Sequence, residues 1–208
     1  LDFPDELEQE PWTLRLSYPI SQITGDERIQ AVTFAEDMIF LAGADSGAKS
    51  IYVLNRDGEL LRSFGQLSAS RYGFSALTWD GELLWGAGDR EIYGFNLDGD
   101  SVTSFSGPFN PSGNAVWDGD RGLLWLAGVT SNVSGCDREG NVVTTWNRRN
   151  MRMYGFGLYP EDPDGHELYV LTNPEGTTEL VMKMDLDDGD TLRVTTLPDS
   201  GGRPNGCA

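Results

Sequence analysis

The chain has 208 residues and is 38 % hydrophobic, with 6 Trp, 7 Tyr and 9 Phe: enough apolar material for a packed core, and too much for a disordered chain. Its 33 acidic and 15 basic residues give a formal net charge of −18, which argues against nucleic acid and anionic membranes as partners, since both require clustered Lys and Arg. No apolar run approaches the ~20 residues of a membrane-spanning helix, "LDFPDELEQEPW" lacks a signal-peptide pattern, and two cysteines, Cys136 and Cys207, are too few for a disulfide framework.

From the N-terminus, "PWTLRLSYPI" (11–20) reads as a lone outer strand. From residue 28 onward one unit recurs, over about 28–66, 74–107, 114–147 and 156–198. Each copy begins with a strand ending at Phe34, Trp79, Trp117 or Tyr159. A second strand follows: "MIFLAG", "LLWGAG", "LLWLAG" or "ELYVLT". In the third strand Ile51, Ile92, Val133 and Val181 correspond, as do Leu54, Phe95, Cys136 and Met184. A polar turn then leads to the fourth strand: "NRDGE", "NLDGD", "DREGN" or "DLDDGD". The turn glycines, Gly58, Gly99, Gly140 and Gly189, are spaced 41, 41 and 49 residues apart. The chain ends in "GGRPNGCA", whose residues 205–208 read as the first strand of a further unit.

A four-stranded unit repeating every ~40–50 residues predicts the blades of a β-propeller, an all-β fold of antiparallel four-stranded sheets. A β-sandwich, the main competitor, does not predict four in-phase copies. Trp79 and Trp117 close the first strands of successive blades. Trp85 and Trp125 sit in the second, where Phe40 and Tyr169 stand elsewhere, and are expected to be packing between blades rather than ligand platforms. With four full blades and partial strands at both ends, the single domain over 1–208 reads as part of a larger propeller, with further blades or domains in the parent protein.

"PSGNAVWDGDRGLLWLAG" and "LTWDGELLWGAGDREIYGFNLDGDSVTSF" resemble the NHL- and YVTN-like repeats of secreted bacterial propellers, of the form "GLAWDGxxLWVAD…IYKIDxxGxVxxSF", over roughly residues 28–206. The resemblance implies an extracellular or periplasmic binding module. It does not imply an activity, since such propellers serve in binding, display and several enzymes.

In such a fold the loops between blades gather on one face. Four of five here carry an arginine just before the inner strand: Arg28, Arg71, Arg152 and Arg203, with Tyr72 and Tyr154 beside two of them. Two charges 10 Å apart in water repel by only ~0.4 kcal/mol, while each charge-assisted hydrogen bond to an anion returns ~1.5–3 kcal/mol. The six residues are therefore a candidate site for an acidic glycan, a peptide or a small acidic ligand. The competing role for the arginines is to bridge blades through acidic side chains.

No catalytic residue can be assigned. His166 is the only histidine, Cys136 takes a core position, and no nucleophile elbow, phosphate loop or zinc spacing occurs. "DLDDGD" looks calcium-like but has Asp190 where an EF-hand needs Gly and Thr196 where it needs Glu, so no cofactor is expected, with calcium the one metal weighed. A carbohydrate-active enzyme, sialidase-like or another glycosidase or lyase, is the alternative use of the Arg-lined face. "TWDGELLW" has the Thr, Asp and Trp of a sialidase box but misplaces its Gly. A structural spacer is the third reading.

Overall fold

A computed structural model describes residues 17–45, 48–173 and 180–196. It contains a short helix, α1 (Ile20–Thr24), and sixteen strands in four antiparallel sheets. The first sheet is β1 (Ile29–Ala35), β2 (Met38–Gly43), β3 (Ser50–Leu54) and β4 (Leu60–Gly65). The second is β5 (Ala76–Trp79), β6 (Leu84–Ala87), β7 (Glu91–Phe95) and β8 (Ser101–Ser106). The third is β9 (Asn114–Asp118), β10 (Leu123–Ala127), β11 (Val133–Cys136) and β12 (Val142–Trp146). The fourth is β13 (Met153–Leu158), β14 (Leu168–Thr172), β15 (Leu180–Met184) and β16 (Thr191–Thr196). Each sheet is an up-and-down meander in sequence order, and the innermost strands β1, β5, β9 and β13 stand side by side about one axis. These are four blades of a β-propeller.

The polar turns close as the sequence dictates. The Oδ1 atoms of Asn55, Asn96 and Asp137 each accept the backbone N–H groups two and four residues on. The glycine in each turn has φ of +81°, +93° and +87°, a region that costs a residue with a Cβ.

The tryptophans join blades. Phe40, Trp85 and Trp125 are fully buried, each in a hydrophobic cluster shared with the following blade: Phe40 in that of Phe74, Trp85 in that of Leu124, Trp125 in that of Phe156. At ~25 cal/mol per Å² over the roughly 200 Å² of an indole, each tryptophan contributes at most about 5 kcal/mol. The indoles lie over glycines of the neighbouring strand: a Cβ at Gly94 or Gly135 would come within 3.0 or 3.1 Å of the ring. Their N–H groups donate to Asp80 (2.7 Å) and Asp118 (3.1 Å), the aspartates of the two "WDG" turns.

The fourth blade varies this theme. Tyr169 replaces the tryptophan and Lys183 replaces the glycine opposite it. The phenol O–H donates to Asp162, the aspartate of that turn, and Lys183 Nζ reaches both Asp162 oxygens at 2.8 and 3.0 Å.

A second contact repeats around the propeller. An aromatic from one blade's outer strand covers the turn glycine of the next: Phe64 on Gly99, Phe105 on Gly140 and Trp146 on Gly189. Tyr18 covers Gly58 in the same way and donates its hydroxyl to the Arg56 carbonyl.

The outer strand expected over 11–20 is not seen in its described part. Residues 17–19 have no regular structure and Ile20 opens α1, which Gly25 terminates at φ +73°. The apolar residues Tyr18, Ile20 and Ile23 are drawn onto Ile39, Leu41 and Leu54, the face of the first blade turned away from the second. Residues 11–16 and the strand expected at 205–208 lie outside the described residues.

Candidate functional site

Antiparallel meanders put the loops between blades and the β2–β3-type loops at one end of the strands, the loop face. The β1–β2 and β3–β4 hairpin turns lie at the other, the turn face. Side chains on the inner strands fix the loop face from blade to blade. Gln30 Nε2 donates to the Tyr72 carbonyl (2.9 Å), Ser75 Oγ to that of Gly113 (3.0 Å), and Asn114 Nδ2 to that of Met153 (3.2 Å).

Arg28, Arg71, Tyr72, Arg152 and Tyr154 all fall on this face; Arg203 lies outside the described residues. Asp26 positions Arg28: its buried carboxylate accepts the Arg28 N–H (2.7 Å) and the Tyr52 hydroxyl (3.1 Å), leaving the exposed guanidinium without a partner among the described residues. Burial, and then the Asp26 carboxylate, push the Tyr52 phenol up. The Arg71 guanidinium lies 4.4 Å from the ring centroid of Tyr72, which is 47 % exposed. Arg152 is exposed, its backbone N–H bonded to Thr172 Oγ1 (3.1 Å), and Tyr154 is half-buried at a bulge in β13. Arg90, in the β6–β7 loop, joins them on this face; no repeat pattern had pointed to it.

Eight of the eleven described arginines fall into two groups. Arg28, Arg71, Arg90 and Arg152 make no ion pair among the described residues. Arg62, Arg121, Arg138 and Arg149 bridge neighbouring blades instead. Arg62 reaches Asp98 (3.5 Å), Arg138 reaches Asp80 and Glu82 (2.9 and 3.0 Å), and Arg149 reaches Asp190 (3.4 Å). Arg121 joins Asp118 of its own blade to Glu167 and Asp187 of the next at 2.6–3.0 Å. Burial works against the Arg121 charge, and its three carboxylates, Asp187 foremost, outweigh it and hold the guanidinium protonated. Sequence reasoning missed these bridges because their partners in the neighbouring blade lie 36–66 residues away.

The turn face holds a cavity of about 290 Å³ framed by the inner strands. Its walls include Phe34, Leu77, Val116, Trp117, Phe156 and Leu158, and no side chain that ionises lines it. Towards the loop face a second, smaller space of about 10 Å³ lies between Ala31, Ala76, Ala115 and Gly155.

The remaining reactive groups are engaged. Burial, with Asp137 nearby, pushes the Cys136 thiol up to about 11. His166 Nδ1 lies 2.9 Å from the Asp164 carbonyl in the β13–β14 turn. In "DLDDGD", Asp185 and Asp188 cap backbone N–H groups while Asp187 and Asp190 pair with arginines. Among the described residues no three His, Cys, Asp or Glu side chains are arranged to hold a metal, and no helix is long and apolar enough to cross a membrane.

No family model matches the sequence, and no curated protein does. Among solved structures, the WD40 β-propeller domain of Doa1 superposes on 80 % of the chain with a TM-score of 0.57 and 17 % identity. The chain covers 53 % of that structure, about half its length. At this identity the likeness is one of fold.

Proposed function

We propose that this propeller is a non-catalytic interaction module that takes an acidic ligand, a glycan, a peptide or a small anion, on its loop face. One observation carries the reading. In a chain of net charge −18, Arg28, Arg71, Arg90 and Arg152 are exposed on one face without an ion pair among the described residues, while Arg56, Arg62, Arg121, Arg138 and Arg149 engage carboxylates. An anion bridging two of them would gain the charge-assisted hydrogen bonds those guanidinia lack. Tyr72, under Arg71, adds an exposed ring that a sugar or peptide could lie against. The NHL- and YVTN-like form of the repeats favours a secreted bacterial parent protein, outside the cytoplasm.

The test is a glycan and small-anion binding screen on the intact chain beside Arg71→Ala and Arg152→Ala. Binding that weakens with salt and falls at least tenfold in either variant supports the reading. Binding unchanged in both variants, or no binding of any acidic ligand, refutes it.

A further inference from the structure

The turn face offers a second surface of opposite character. Three exposed carboxylates are chain neighbours of residues that line the 290 Å³ cavity: Glu36 two residues from Phe34, Asp120 beside Gly119 and Glu161 beside Pro160. None of the three has a cationic partner among the described residues. The outer turns extend the acidic surface through exposed Asp57, Asp100, Glu139 and Asp188.

No ionisable side chain lines the cavity, whose walls mix apolar residues with Thr33 and Thr78. Phe34 is 58 % exposed at its mouth. Thr33, only 6 % exposed, lines the wall with a hydroxyl that has no partner among the described residues. The indole N–H of Trp117, which also lines the wall, has none either. Both groups are therefore free to bond a group that enters the cavity.

We infer that the turn face docks a basic peptide segment of a partner protein, which inserts one apolar side chain into this cavity. A volume of about 290 Å³ has room for one such side chain. The acidic surface reaches well beyond the rim, which a peptide with several Lys or Arg can use and a small amine cannot. Such charge complementarity sets the approach and register of the segment.

The experiment uses the full chain and labelled peptides Lys-Arg-X-Lys-Arg, with X as Leu, Phe or Ala, read by anisotropy and tryptophan fluorescence. The Leu or Phe peptide is expected to bind at least tenfold more tightly than the Ala peptide and to weaken at least tenfold between low and high salt. Its fluorescence change disappears in Trp117→Phe. The triple variant Glu36→Gln, Asp120→Asn, Glu161→Gln alters exposed side chains only. It is expected to lose at least tenfold in affinity at unchanged melting temperature, whereas Arg71→Ala binds as the parent does. Equal affinity for the three peptides, or for parent and triple variant, overturns the proposal. So does phenethylamine competing as strongly as the peptide. A shift in the sedimentation of the unliganded protein on making the triple variant would mean that a second copy occupies this face, which also overturns it.

Discussion

Lys183→Met isolates the most deeply placed charge of the fourth blade. The Lys183 and Asp162 side chains are 7 % and 0 % exposed, and the ammonium is shared among both Asp162 oxygens and Asp164. Removing one partner of such a pair strands the other charge, at a cost of about 3–5 kcal/mol. The pH dependence gives the sharper test. Burial alone would raise the Asp162 carboxyl, but Lys183 first, and then Tyr169, hold it well below the usual range. In the parent protein, stability from Asp162 is therefore complete above the unfolded value near ~3.9 and is lost as pH falls through the lower folded value. Without Lys183 the strongest hold on the carboxylate is lost while burial remains, so the folded value rises and the variant is penalised most at neutral pH. Urea unfolding followed by tryptophan fluorescence should show a deficit of about 3–5 kcal/mol at pH 7.5, narrowing by ~1 kcal/mol or more at pH 4.5. A deficit below ~1 kcal/mol, or one equal at both pH values, would refute the assignment of Lys183 as counter-ion to a buried carboxylate.

Three further outcomes follow from particular contacts. Gly99→Ala and Gly81→Ala meet the same backbone strain, φ +93°, but only the Gly99 Cβ would fall into a ring, that of Phe64. Gly81→Ala should cost ~1 kcal/mol and Gly99→Ala at least twice that in chemical denaturation. Trp85→Phe removes the indole hydrogen bond to Asp80 and part of a buried ring, and a loss of about 2–4 kcal/mol is expected in the same assay. With its thiol at about 11, Cys136 should resist iodoacetamide at pH 8 in the folded protein and react readily in urea, as peptide mass spectrometry would report.

The blade architecture was legible because its signals are local. The Asn/Asp-x-x-Gly turns fold through contacts within five residues, and the aromatic period survives wherever each blade must cover the next. Residues 17–20, the described part of the 11–20 segment, show a tertiary contact shaping what the local pattern leaves open. "LRLSY" matches "LLRSF" and "SVTSF", and Tyr18 reaches the glycine that the pattern implies. The residues after it are pulled into α1 by apolar side chains that have a blade face to cover. The arginines show a different limit. Sequence position placed Arg28, Arg71 and Arg152 on one face, but whether an arginine is paired depends on turns tens of residues away, as for Arg121 with Asp187. The turn-face cavity, formed by side chains from four inner strands, has no linear signature.

The most direct test of the loop-face reading is a crossed measurement of thermal stability and acidic-ligand affinity in two pairs of variants. For Arg121→Ala and Arg138→Ala, whose guanidinia tie blades together, the account predicts a lowered melting temperature with ligand affinity retained below it. For Arg71→Ala and Arg152→Ala it predicts an unchanged melting temperature with affinity reduced at least tenfold. If the second pair lowers the melting temperature and leaves binding intact, the loop-face arginines are structural and the proposed acidic-ligand site is wrong.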